Sequence, residues 1–279
     1  MTDKNYYQTC KPPDGVKIAD NLYYDQDEVT NSNWREFMYW TGRVFGTNSS
    51  EYKSTFPDTL VWRDSLILKE KSNCLKELTL YYLHHPAYSD CPVVGISQQQ
   101  AEAFTKWRSD RVMEYILVRN KEIKWDSSPK RETYFSIEKY YSGKYNGIKP
   151  KERFMYYPDY RLPTVNEWKK AVMYDDSIKV TKPGKQNTTL WLDIVPCKND
   201  SSHGDPTERE TDRFNTGKGA AINYLLDNVR EWTSDSGVTV GGGWHDKSEI
   251  VLKQDTFHTK GPNAWTGFRN VCQWKKWGN

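Results

Sequence analysis

The chain has 279 residues, 36% hydrophobic and 14% aromatic, with 12 Trp and 19 Tyr. That is enough for one large domain whose core draws heavily on aromatic side chains. The 40 basic and 37 acidic residues leave a net charge of +3, which gives no basis for a nucleic-acid partner or an anionic membrane surface, and no run of 18 apolar residues is present to span a bilayer. A mean hydropathy of −0.90 beside so many aromatics describes a folded, loop-rich chain rather than a disordered one.

Three helix starts are written in the sequence. The first follows Thr30-Asn31, where Trp34, Phe37, Met38 and Thr41 recur at helical spacing behind a capping residue. The second opens at the capping box Ser97-Gln-Gln-Gln100 and continues through Ala101, Phe104, Trp107 and Arg108, with Val112, Tyr115 and Ile116 indicating that it runs on. The third opens at a second box, Thr164-Val-Asn-Glu167, with Trp168, Ala171 and Val172 as its buried face. Short apolar or proline-marked lead-ins precede them: Leu22-Tyr-Tyr24, Pro92-Val-Val94 and Arg161-Leu-Pro163.

Between the second and third helices, residues 121–160 are rich in Lys, Tyr and Ser. They read as an insert, partly helical around Tyr134 to Tyr141. Residues 182–219 are polar and turn-rich, and the last 60 or so residues read as short strands and turns. The expectation is an α+β fold with little regular secondary structure: one domain over 15–279, an insert at about 121–160, and an N-terminal tail over 1–14. That tail has no apolar h-region of the kind a signal peptide carries. The five cysteines (Cys10, Cys74, Cys91, Cys197 and Cys272) form no CxxC or metal-spaced pair, and their odd number suits a reducing compartment better than a disulfide framework.

Five short elements, in order, carry a family resemblance: Glu28-Val-Thr-Asn31, Arg161-Leu-Pro-Thr-Val-Asn-Glu-Trp168, Asp227-Asn-Val-Arg-Glu-Trp232, Gly241-Gly-Gly-Trp244 and Gly267-Phe-Arg269. Each alone is weak; the ordered set is specific. The chain resembles the formylglycine-generating-enzyme (sulfatase-modifying factor) family, which implies a C-type-lectin-like α+β fold. Phe56-Pro-Asp-Thr-Leu-Val-Trp62, His85 through Gly95, and Trp107-Arg-Ser-Asp-Arg111 resemble its gliding-motility and type-nine-secretion lipoprotein branch. That branch implies a protein partner in a cell-envelope assembly and a periplasmic or outer-membrane-associated location.

The family's founding chemistry needs two cysteines to hold copper, because soft Cu(I) selects thiolates. By the resemblance they would fall near Val251 and Thr256, yet Trp244 to Gly267 contains no cysteine, and Cys272 lies beyond the last motif. No copper is expected, and no catalytic residue is assigned. The iron-dependent sulfoxide chemistry of other relatives needs a histidine-rich extra domain. Here His84, His85, His203, His245 and His258 are scattered, although His245, Asp246 and His258 are the right types for a two-His-one-carboxylate site. Loop histidines are the commoner outcome of such a pattern.

The resemblance also implies calcium beside the Asp227–Trp232 element, through Asn223, Asp227, the Val229 carbonyl and Glu231. The alternative is that Glu231 pairs with Arg269. Gly241-Gly-Gly243 reads as a close-packed turn rather than a phosphate cradle. Trp107, Trp168, Trp232 and Trp244 read as core, whereas Trp265, Trp274 and Trp277, if exposed, would form a partner or ligand patch.

The resulting expectation is a non-catalytic binding or scaffold protein. The alternatives are a metal-dependent oxidoreductase with a diverged site and a lectin-like ligand-display module.

Overall fold

The computed structural model describes residues 10–63, 74–179, 222–226, 228–244, 246 and 256–278. Asp64, residues 182–219 (with Cys197 and His203), Asp227, His245 and Val251 lie outside the described residues. The chain begins with a hairpin of β1 (Gly15–Ala19) and β2 (Leu22–Asp25), which turns through Asn21 at φ 52°, a left-handed conformation that asparagine tolerates. All four residues of β2 are buried, so both faces of this strand are covered.

The three expected helix starts are realised. Thr30 caps α1 (Asn31–Phe45) through a reciprocal box with Asn33, and Trp34, Phe37, Met38 and Thr41 are all buried. Two short helices follow, α2 (Ser50–Lys53) and α3 (Cys74–Tyr81). Ser97 and Gln100 box the start of α4 (Gln98–Arg119). The helix runs on past Val112, Tyr115 and Ile116, as expected. Beyond Phe104 the buried positions are Thr105, Ser109, Met113, Glu114 and Leu117, while Tyr115 is 57% exposed. The cause is β3 (Tyr156–Arg161), which packs along α4 and selects the four-residue row facing the sheet rather than the most apolar row. A short helix, α5 (Ile137–Tyr141), precedes β3 in the chain, and α6 (Val165–Lys179) follows it. Thr164 and Glu167 form the box that starts α6.

The strands after α6 are β4 (Arg230–Trp232), β5 (Val238–Val240), β6 (Phe257–His258), β7 (Thr266–Gly267) and β8 (Val271–Lys276). They make two four-stranded sheets, ordered β1-β2-β8-β3 and β6-β5-β4-β7. The last strand of the chain, β8, is thus the central partner of β2 and β3, so the two ends of the sequence close one sheet. This is the α+β architecture with little regular structure that the motifs imply.

Residues 121–155 supply Phe135, Ile137, Tyr140, Tyr141, Tyr145 and Phe154 to a buried cluster shared with Met113, Leu117, Tyr160, Cys272 and Trp274. The last part of the expected insert is β3 itself, a strand of the main sheet. The stretch before it is therefore built into the core. Residues 10–14 are docked too: the Trp274 indole donates to the Cys10 carbonyl at 3.0 Å. No helix among the described residues is long and apolar enough to cross a membrane.

Candidate functional site

The second sheet carries the family motifs, and their polar side chains turn inward onto one another. Glu231 lies on β4 and Arg269 just after β7, and both side chains are fully buried. Arg269 Nε donates to Glu231 Oε1 at 2.7 Å. Its Nη1 donates to the carbonyls of Asp25 (3.2 Å) and Gln26 (2.7 Å), and its Nη2 to the carbonyl of Asn223 at 2.7 Å. A second buried carboxylate, Glu28, stands 3.6 Å from the same guanidinium and accepts from the Asn228 side-chain amide at 3.1 Å. The Tyr24 hydroxyl reaches the other oxygen of Glu231 at 3.5 Å.

One cation thus serves two buried acids. Burial pushes both carboxyls up; Arg269 pulls back against it, but Glu28 still stands at about 8 and Glu231 is held above the usual carboxylate range. Burial alone would lower Arg269, but Glu231 and Glu28 outweigh it and hold the guanidinium firmly protonated.

This arrangement bears on the calcium expectation. Glu231 faces the guanidinium, as does the Asn223 carbonyl, while the Asn223 side-chain amide points to the exposed Asp27 at 2.7 Å. Val229 is buried, with its side chain close to Gly267, and Asp227 lies outside the described residues. Of the expected calcium set, Glu231 and the Asn223 carbonyl are both engaged by the Arg269 guanidinium, which supplies a positive charge there. They fit a guanidinium rather than a calcium ion. Tyr224 holds φ 55°, a strained choice for an aromatic residue.

A second arginine is paired close to the glycine run. Arg230 Nε donates to Asp246 Oδ2 at 2.7 Å, and a second contact joins Nη2 to Oδ1. The guanidinium lies 3.8 Å over the Phe257 ring, and Asp246 Oδ2 also accepts from Gly243 N at 2.7 Å. Asp246 is therefore committed to an ion pair and a turn. His258 is exposed on β6, and His245 lies outside the described residues.

The glycine run is the close-packed turn its sequence suggested. Gly241 has φ +72° and no room for a Cβ, which would meet the Leu225 carbonyl oxygen at 2.8 Å. Trp244 then stacks on Trp62 (centroids 6.2 Å apart) and donates to the Ala264 carbonyl. Trp168, Trp232 and Trp244 are buried as expected; Trp107 is half-buried. Of the late tryptophans, Trp274 is buried, Trp265 is half-buried, and Trp277 stacks on Tyr141 at 4.9 Å.

The Trp107–Arg111 motif proves to be a staple. Arg108 pairs with buried Asp25 at 2.5 Å, donates to the Pro13 carbonyl and lies 4.4 Å over Tyr160. Ser109 Oγ accepts from Tyr160 N at 2.8 Å, and Asp110 accepts from Ile137 N at 2.8 Å. Burial raises Asp110 to about 6 although that N–H bond pulls it down. Arg111 binds Glu114 and the Phe135 carbonyl, each at 2.5 Å, and covers Trp40 at 4.3 Å. Four consecutive side chains thus tie α4 to β2, β3 and the segment around α5.

The residues that sequence reasoning missed are the buried acids Asp25 and Glu28. Their signals were a run of carboxylates directly after an apolar strand, Asp25-Gln-Asp-Glu28, and the place of Glu28 at the head of the Glu28–Asn31 element.

No curated protein matches the chain. The family model described as a sulfatase-modifying factor enzyme 1-like domain matches residues 1–274. With that extent of match and the motif geometry above, the chain belongs to the sulfatase-modifying factor (formylglycine-generating enzyme) family.

Proposed function

We propose that this member of the family is a non-catalytic binding or scaffold protein. The observation that carries the reading is the loss of the thiol pair: Trp244 to Gly267 contains no cysteine. Cys272 offers no substitute, since it is 1% exposed in β8 beneath the core cluster and burial pushes its thiol well up. Two charged side chains of the motif sheet are paired, Arg230 with Asp246 and Arg269 with Glu231.

The Phe56–Trp62, His85–Gly95 and Trp107–Arg111 stretches favour a role like that of the gliding-motility and type-nine-secretion lipoproteins they resemble. That role is a protein-bound component of a cell-envelope assembly, in the periplasm or at the outer membrane. Calcium is not part of the proposal, because Glu231 is engaged by Arg269.

The test is metal analysis of the purified full chain together with oxygen uptake in the presence of a cysteine-containing peptide. The expected result is no stoichiometric copper or iron and no peptide-dependent oxygen uptake. Either metal at one per chain, or oxygen uptake that requires the peptide, would overturn the proposal. Iron at one per chain would favour the oxidoreductase reading around His245, Asp246 and His258. The display-module reading loses ground because Trp274 is buried and Trp277 is stacked against Tyr141.

A further inference from the structure

The net charge of +3 is unevenly spread along the chain. Residues 119–153 hold ten basic and five acidic residues, which leaves the remainder slightly negative. Within that stretch the charges gather where the turn after α4 meets the segment leading into β3. Glu122 accepts from Lys151 Nζ at 2.7 Å and pairs with Arg153 as well. One acid thus holds two cations, whose own side chains are 63% and 49% exposed, and a positive charge is left over.

Three more lysines stand beside this clasp. Lys121 precedes Glu122, Lys124 follows it by two residues, and Lys149 lies two residues before Lys151. All three are exposed, and none forms an ion pair among the described residues. Two residues of chain span at most about 7 Å, so the five cations crowd around Glu122. Glu152 is the one other acid in 121–125 and 149–153. Like charges held this close repel one another, and an anionic partner relieves that repulsion. Trp125, which the chain keeps within about 11 Å of Glu122, is 65% exposed and adds a large indole to the same region.

We infer that this face docks on an anionic lipid surface, with the lysines meeting phosphate headgroups and the Trp125 indole settling at headgroup level. Lysine suits that role, because its long stem lies along apolar surface while its ammonium stays in water. Two other occupants fit less well. Protein interfaces are depleted in lysine and enriched in arginine, yet four of the five cations are lysines. Nucleic-acid-binding domains are basic as a whole, with a pI above about 9, whereas this chain has a pI of about 8.4 and a local patch. The face lies outside the motif sheet, and a catalytic protein could dock the same way, so the inference does not rest on the scaffold reading.

The experiment is sedimentation of the full chain with phosphatidylcholine vesicles, with and without phosphatidylglycerol. It compares wild type with Lys124→Ala/Lys149→Ala, Trp125→Ala and Lys260→Ala, the last an exposed lysine between β6 and β7. All of these side chains are exposed, and circular dichroism checks that each variant folds. Wild type should bind only the phosphatidylglycerol vesicles. At about fivefold for each cation near such a surface, the double lysine variant should bind roughly 25-fold more weakly. Trp125→Ala should bind measurably less, and Lys260→Ala like wild type. Four outcomes overturn the inference: no vesicle binding, equal binding to both vesicle types, no loss in the folded double variant, or an equal loss in Lys260→Ala. A chain that ignores vesicles but binds polyglutamate or a single-stranded oligonucleotide would assign the face to an acidic protein or a nucleic acid instead.

Discussion

Replacing Glu28 by Gln tests the reading that one guanidinium is shared by two buried acids. Glu28 is 6% exposed and, with burial outweighing the pull of Arg269, is lifted from 4.5 to about 8. A carboxyl raised in the folded state keeps its proton there while the unfolded chain gives it up. Its contribution to stability is therefore complete below pH 4.5, falls as pH rises, and is gone above about 8. The slope between those limits is about 1.4 kcal/mol per pH unit, so from pH 6 to pH 7.5 this group alone withdraws about 2 kcal/mol. Glutamine keeps an oxygen for the Asn228 amide and cannot ionise, so the variant should lack that slope. Urea unfolding followed by circular dichroism at pH 6 and 7.5 gives four free energies. Titrating groups remote from the pair, Asp110 and Glu114 among them, act in both proteins and cancel in the double difference, whereas Glu231 shares Arg269 with Glu28 and belongs to the same response. The expected double difference is about 2 kcal/mol, with the variant gaining relative to wild type as pH rises. Equal pH slopes for the two proteins would show that Glu28 is ionised throughout, and that Arg269 holds two charged partners.

Three further substitutions probe the framework, all read by urea unfolding. Arg269→Met leaves Glu231 and Glu28 buried without their cation and should cost about 3–5 kcal/mol, whereas a loss under 1 kcal/mol would mean the pair is dispensable. Ser109→Ala strands the buried Tyr160 N–H and should cost about 1–3 kcal/mol; an unchanged midpoint would remove Ser109 from the staple. Gly241→Ala combines a φ of +72° with a Cβ only 2.8 Å from the Leu225 carbonyl, so a loss of about 2–4 kcal/mol is expected, and a neutral result would mean that the turn relaxes freely.

Local features were legible in the sequence because they are decided locally. Thr30, Ser97 and Thr164 each cap their helix through a neighbour only three residues on, so the helix starts could be read directly. The length of α4 could be read, but not which of its faces is buried toward its end. Val112, Tyr115 and Ile116 are apolar, but the row at Thr105, Ser109, Met113 and Leu117 is the one that meets β3, a strand some 50 residues later. Which helical face is buried depends on the partner, and here the partner accepts a serine because that serine's hydroxyl satisfies a strand N–H.

The candidate site shows the same division more sharply. Glu231 and Arg269 could be paired on paper because both belong to recognisable motifs. Glu28 could not be added, since its partners Asn228 and Arg269 stand 200 or more positions away in the chain. Nor could Asp25, which meets Arg108 from one side and Asn270 from the other. These two acids bracket the single turn between β2 and α1, and each faces a different arginine. The consequence is that the first sheet and the motif sheet are joined through charged side chains as well as apolar packing. An interior built this way tolerates poorly the removal of one partner, because the charge left behind has no water to replace it. Conversely, it leaves few carboxylates free to bind metal. Among the described residues, the pairing that joins the two sheets thus engages Asp25 and Glu231 with arginines.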